Sequence, residues 1–105
     1  MQEPTFLILT ALAAEPRHGY GVRQEVERAS GGRVVLRPGT LYAALDRLVA
    51  DGLVATDREE VVDGRLRRYY RLTGAGADAL DVEATRLAAN AALARRRLRA
   101  RARLV

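Results

Sequence analysis

The stretch that decides the fold is PGTLYAALDRLVADG at residues 38–52, followed without a break by LVATDREEVVDGRLRRYYRL at residues 53–72. In the first segment Pro38 opens a helix, Leu41, Leu45, Leu48 and Val49 fall on one face, and Gly52 closes it. In the second segment the hydrophobic period drops to two. Leu53 to Glu59 and Leu66 to Leu72 read as strands flanking Val61-Val62-Asp63-Gly64, and Asp-Gly is a favoured hairpin turn. A well-bounded helix thus leads straight into a two-stranded hairpin.

Working outward, Pro4 suits a first helical turn, and Phe6, Leu9 and Ala13 with Ile8 and Leu12 give the spacing of a buried face through Ala14. Glu15-Pro16-Arg17-His18-Gly19 interrupts that pattern. Val22, Val26 and Ala29 then recur at helical spacing until Gly31-Gly32 stops them. Arg33 to Arg37 is a short connector. Downstream, Thr73 offers an N-cap, and from Leu80 the chain is Ala-rich, lacks Gly and Pro, and is expected to continue as one long helix.

Three short helices followed by a hairpin are the element order of a winged helix-turn-helix, in which the third helix enters the major groove and the hairpin lies along the backbone or minor groove. The expected fold is therefore mainly α with a small antiparallel β-hairpin. Residues 1–72 form the winged domain, and residues 73–105 form a C-terminal dimerisation helix with an Arg-rich tail.

Composition excludes more than it selects. A chain of 105 residues holds one core, and with 5% aromatic content that core is built from Leu, Val and Ala. There are no cysteines and one histidine, so neither a thiolate nor a nucleophile–base pair is available, and no catalytic site, metal or cofactor is expected. The apolar run Phe6 to Leu12 is too short to span a membrane and no charged segment precedes it, so the cytoplasm is the expected location. All 18 basic residues are arginine and the net charge is +5. Residues 1–72 hold eleven arginines against ten acids, net +1, and residues 73–105 hold seven against three, net +4. Net charge alone is thus weak support for a nucleic-acid partner, and the position of each arginine matters more.

Four strings now add a resemblance. His18-Gly19-Tyr20-Gly21, then GTLYAALDRL at 39–48, then DGLV at 51–54, then RYYRLT at 68–73 with Gly76 are similar, in order and spacing, to the successive signatures of the PadR family of bacterial transcriptional regulators. The resemblance covers roughly residues 5 to 80. It implies a winged helix-turn-helix, a homodimer, and repression through double-stranded palindromic operators. It also implies that a phenolic or drug-like effector enters the dimer interface; yet the chain has no Trp and its last helix no aromatic residue, so the stacking rings for such a ligand are missing.

On the third helix, the residues left outside the leucine face are Thr40, Ala43, Ala44 and Arg47, a small surface that lets a helix approach base edges. Tyr42 either donates its hydroxyl to a phosphate or caps the core edge. Arg47 has Asp46 and Asp51 as competing partners. Arg37 is placed with this group. In the wing, Arg65 and Arg67 share one face and are the expected phosphate or minor-groove ligands, with Asp57, Glu59 and Glu60 opposite as competitors for some of the arginines. His18 is expected to cap the second helix. Leu80, Ala84, Leu87, Ala91, Ala94 and Leu98 form a heptad seam, and a helix of about 25 residues, roughly 37 Å long, overshoots so small a body, which favours a second copy as partner. Arg95, Arg96, Arg97, Arg99, Arg101 and Arg103 are expected to fray the end by mutual repulsion or to add phosphate attraction. The competing function is a winged-helix module that mediates protein contacts without specific DNA binding.

Overall fold

The computed structural model describes residues 1–104. It contains α1 (Glu3–Ala14), β1 (Arg17–His18), α2 (Gly19–Ala29), α3 (Pro38–Ala50), β2 (Val54–Val62), β3 (Arg65–Leu72) and α4 (Gly74–Arg103). The strands form one antiparallel sheet in the order β1-β3-β2. No described helix is long and apolar enough to cross a membrane.

The core is small and aliphatic, as the composition requires. Ile8, Leu9 and Leu12 of α1, Val22 and Val26 of α2, and Leu41, Leu45 and Leu48 of α3 are buried together with Leu36, Val54 and Tyr70. Three expected members of the buried faces lie elsewhere: Val49 is 38% exposed, and Ala13 and Ala29 are exposed. Each stands at the edge of a stripe whose centre is enough to fill so compact a core.

The hairpin is longer than the sequence pattern suggested. Both strands run to the turn itself, with Val61 paired to Leu66 and Val62 to Arg65. The turn is the two residues Asp63 and Gly64, both at positive φ (51° and 74°), the geometry whose twist suits an antiparallel pair. Asp57 is the extra residue at an irregularity between Thr56 and Arg58, which bends the strand that carries the wing acids.

The segment expected to be a plain break after α1 is a third strand. Arg17 pairs with Tyr70 and His18 with Tyr69, and the Arg17 Nε donates to the Ala11 carbonyl at 2.8 Å, so β1 ties the end of α1 to the sheet. Two residues of strand carry no periodicity, and only the presence of β3 alongside makes them one.

The caps behave as expected. His18 Nδ1 accepts from the Gly21 N–H at 3.2 Å and starts α2. Thr73 Oγ1 accepts from the Gly76 N–H at 3.0 Å while donating to the Gly52 carbonyl at 2.7 Å, so one side chain starts α4 and fastens it to the loop after α3. Gly76 sits so close to the Leu53 carbonyl that a Cβ there would overlap it. The first turns of α4 are thereby pressed onto the domain, with Gly76 and Glu83 buried and Leu80 packed against the core. The Glu83 carboxylate accepts from Arg86 Nε and from the Met1 ammonium, which together hold it below the usual carboxylate range.

Beyond Glu83 the helix leaves the body. Its 30 residues span about 45 Å, and the molecule measures 65 × 27 × 20 Å. The arginines near its end do not interrupt it, contrary to the expected fraying: α4 is regular through Arg103.

His18 links pH to stability. Burial, and then the nearby Arg67 charge, hold its imidazole below its ordinary value of 6.5, and protonation would also remove the Nδ1 acceptor that caps α2. A folded-state value below the unfolded one means that this contribution is complete above about pH 6.5 and is lost as pH falls through the lowered value. Thermal melts between pH 7.5 and 5.5 should show a falling midpoint in the wild type. His18→Asn, which caps without titrating, should lack that component, and His18→Ala should cost about 1 kcal/mol at neutral pH.

Candidate nucleic-acid interface

Because Leu41, Leu45 and Leu48 are committed to the core, α3 turns its opposite side outward. Thr40, Tyr42, Ala43, Asp46 and Arg47 are all exposed. Ala44 is not: it is 8% exposed and belongs to the core cluster, so it leaves the predicted outer face. It lies one helical turn from both Leu41 and Leu48, close enough to their stripe to be covered by the packing. The expected set of small outward residues is thus reduced to Thr40 and Ala43.

The two flanks of α3 differ. On one side Thr40, Ala43 and Arg47 border a groove closed by Gln2, Pro4 and Thr5 at the start of α1. Among the described residues Arg47 makes no ion pair with Asp46 or Asp51, the structural use weighed against it. On the other side Tyr42 and Asp46 face a cleft whose far wall is the wing, with Asp63, Arg65, Leu66, Arg67 and Arg68. The floor holds His18, Gly19 and Tyr70.

Tyr42 packs at the edge of the core and stays open to solvent. Its ring lies on Gly19 so closely that a Cβ there would come within 2.6 Å of the ring carbon bearing the hydroxyl, which explains why the residue that opens α2 has no side chain. The tyrosine is nevertheless 45% exposed, at the mouth of the cleft. Tyr20, 58% exposed on the same rim, stacks parallel to His18 at 6.5 Å between centroids.

The wing acids select among the wing arginines. Arg68 Nε lies 3.2 Å from Glu59 and Arg71 Nε 3.8 Å from Asp57. Arg58 takes Glu60 at 2.9 Å while its guanidinium covers the Tyr69 ring at 3.8 Å. With those acids occupied, Arg65 and Arg67 have no ion pair among the described residues. Strand alternation sets these two on one face, but the ladder does not separate them from the rest: Glu60 stands opposite Arg67 as Glu59 stands opposite Arg68, and Arg67 is left unpaired because Glu60 turns to Arg58. Arg37 is exposed at the N-cap of α3 and makes no side-chain cap.

Asp46 escaped the sequence reading, which treated it only as a partner for Arg47. It stands on the outward side of α3, unpaired among the described residues, across the cleft from the wing arginines. Its position one turn beyond Ala43 is the signal that could have placed it. A carboxylate is chemically able to accept from a cytosine amino group and repels phosphate. Among the described residues no group of His, Asp and Glu is arranged to hold a metal ion.

An α2–α3 helical pair, an outward third helix and a basic hairpin beside it define a winged helix-turn-helix protein. The sequence profile described as the transcriptional regulator PadR-like family matches residues 8–82, and the chain belongs to that family. A transcriptional regulator of Mycobacterium tuberculosis is 51% identical over 73 residues, 70% of this chain. The match spans 64% of that relative's length, just under two thirds. A PadR-like transcription factor from Bacteroides fragilis shares the fold with a TM-score of 0.70 at 32% identity, over 85% of this chain and 84% of that one. PadR of Bacillus subtilis, solved in complex with operator DNA, superposes with a TM-score of 0.68 over 77% of this chain and 46% of that one. At 21% identity that likeness is one of fold.

The corrected face of α3 has a direct test. Ala44→Arg should destabilise the protein by roughly 1–3 kcal/mol, since it starts a charged chain from a buried position at the edge of the core, where the groove beside Arg47 gives it only partial room. Ala43→Arg, one residue away but exposed, should change stability by no more than about 0.5 kcal/mol. Thermal melts of the two variants decide, and equal stability would return Ala44 to the outer surface.

Proposed function

We propose that the protein is a sequence-specific DNA-binding transcriptional regulator, a cytoplasmic, non-enzymatic repressor that binds a pseudo-palindromic promoter operator as a homodimer. The observation that carries this reading is the pairing of an outward α3, small at Thr40 and Ala43, with a wing whose Arg65 and Arg67 are left without acidic partners. Family membership and the operator complex of the Bacillus protein of the same fold support it.

In this reading α3 enters the major groove, Thr40 and Ala43 approach base edges, and Tyr42, Arg37 and Arg47 fix the helix on flanking phosphates. The cleft between Tyr42 and the wing straddles one backbone strand, so that Arg65 and Arg67 reach its phosphates or the adjacent minor groove. Footprinting on the protein's own promoter region tests the whole proposal. Replacing Arg65 and Arg67 by Ala should weaken binding to specific and random duplex alike, and each should flatten the salt dependence by about one unit, as phosphate contacts do. Fluorescence anisotropy against salt measures this; an unchanged slope removes these residues from the backbone contact.

The dimer rests on α4. Leu80, the first member of the seam, is taken by the protein's own core, whereas Ala84, Leu87, Ala91, Ala94 and Leu98 are exposed, with Leu87 at 41% and Leu98 at 61%. The order Leu87, Ala91, Ala94, Leu98 reads the same in both directions, with spacings of four, three and four. Such a seam is self-complementary about a two-fold axis perpendicular to the helix, with leucines covering each other's ends and alanines allowing close approach at the centre. Antiparallel pairing also avoids setting one arginine-rich end beside its copy. Leu87→Asp should place a charge in this seam and give a monomer by light scattering at micromolar concentration. A mutant that keeps the wild-type mass would move the interface elsewhere.

A further inference from the structure

We propose that the arginine-rich outer part of α4 is a second duplex-DNA backbone contact, separate from α3 and the wing, and that it supplies most of the protein's sequence-independent affinity. The inference rests on the DNA-binding reading above and extends it to a surface which that reading does not use.

Six arginines, Arg95, Arg96, Arg97, Arg99, Arg101 and Arg103, lie within nine residues, all exposed. None makes an ion pair among the described residues, and no acid follows Glu83 in the chain. Arg95, Arg96, Arg97, Arg99 and Arg103 lie off the seam through Leu98, whereas Arg101 continues it at a spacing of three, so pairing of the seam leaves the row Arg95, Arg99 and Arg103 uncovered. The only other acids on α4 are Asp78, Asp81 and Glu83, and Glu83 is already bound by Arg86. Even with a second copy's Asp78 and Asp81 brought alongside, six arginines face two carboxylates.

The surface selects its partner. Between Arg95 and Arg103 the residues off the seam are arginine and alanine alone, so an acidic protein would find no large apolar anchor of the kind that dominates protein interfaces. A linear polyanion needs none, because its affinity comes from released counterions. Arg95, Arg99 and Arg103 form one row at four-residue spacing, about 6 Å apart along the axis, and guanidinium binds phosphate bidentately. Like charges at that spacing weaken a free helix, and a bound polyanion relieves the repulsion. The winged domain, by contrast, nets only +1 across residues 1–72 against +4 for residues 73–105. The long-range field that draws DNA to the protein therefore originates mainly on α4.

The test compares wild type, Arg65→Gln/Arg67→Gln, and Arg95→Gln/Arg99→Gln/Arg103→Gln on a random-sequence duplex across 50 to 200 mM salt. Gln keeps helix propensity. The α4 triple variant should flatten the salt slope by about three units, more than the wing pair, and weaken random-duplex binding roughly tenfold or more. Its mass by light scattering and its operator footprint boundaries should be unchanged. Arg95→Lys/Arg99→Lys/Arg103→Lys should retain most of the slope, which separates lost charge from lost structure. An unchanged slope in the Gln variant, with the wild type still footprinting its operator, overturns this inference and leaves the proposed function standing. A loss matched by the Lys variant, or binding to polyglutamate as tight as to duplex, also overturns it. A wild type that binds no duplex overturns both.

Discussion

The burial of Leu41, Leu45 and Leu48 is the constraint from which the rest of the site follows. Once these three leucines of α3 meet Ile8, Leu9 and Val22, the rotation of the helix about its own axis is set to within a fraction of a turn, because a close-packed core of aliphatic side chains admits few alternatives. That rotation decides which residues look outward. It exposes Thr40, Ala43, Asp46 and Arg47 and draws Ala44 in. It also brings the Tyr42 ring over Gly19, so the start of α2 and the outer edge of α3 are fitted to each other through a contact that only glycine permits.

The electrostatics of the wing are an economy of pairs rather than a uniform basic patch. Three acids on β2 engage Arg58, Arg68 and Arg71, and such exposed pairs contribute little to stability. Their consequence is directional: they hold some guanidiniums along the strand and leave Arg65 and Arg67 uncommitted near the turn. His18 lies at the same junction, capping α2, packing edge-on to Tyr69 at 5.3 Å and feeling the charge of Arg67. One side chain therefore couples the start of a core helix to the basic face of the wing.

The long helix has two different lives along its length. Over its first turns Thr73, Gly76, Leu80 and Glu83 bind it to the domain through a cap, a close backbone approach, an apolar contact and a buried carboxylate. Past Arg86 the same face continues with no part of its own body to cover it. That uncovered stripe is the one the proposed dimer would bury.

Much of this was legible in the residues themselves. Pro38 and Gly52 bound α3, the alternation after Leu53 marks the strands, Asp63-Gly64 demands its turn, and His18 and Thr73 are caps by their chemistry; all are local effects, set by a residue and its near neighbours in the chain. That Arg65 and Arg67 share one face was legible too, because strand alternation is a rule of two residues, whereas the turn of Glu60 away from Arg67, its partner in the ladder, to Arg58 was not. What the sequence could not determine depends on elements far apart in the chain. β1 is a strand only because β3 lies beside it, Ala44 is buried because the core extends past the leucines, and Leu80 is withdrawn from the seam by the domain it returns to. Asp46 gained its place across from the wing in the same way. In each case the deciding force is burial or pairing against a distant segment, and periodicity within one helix or strand carries no information about what that segment will cover.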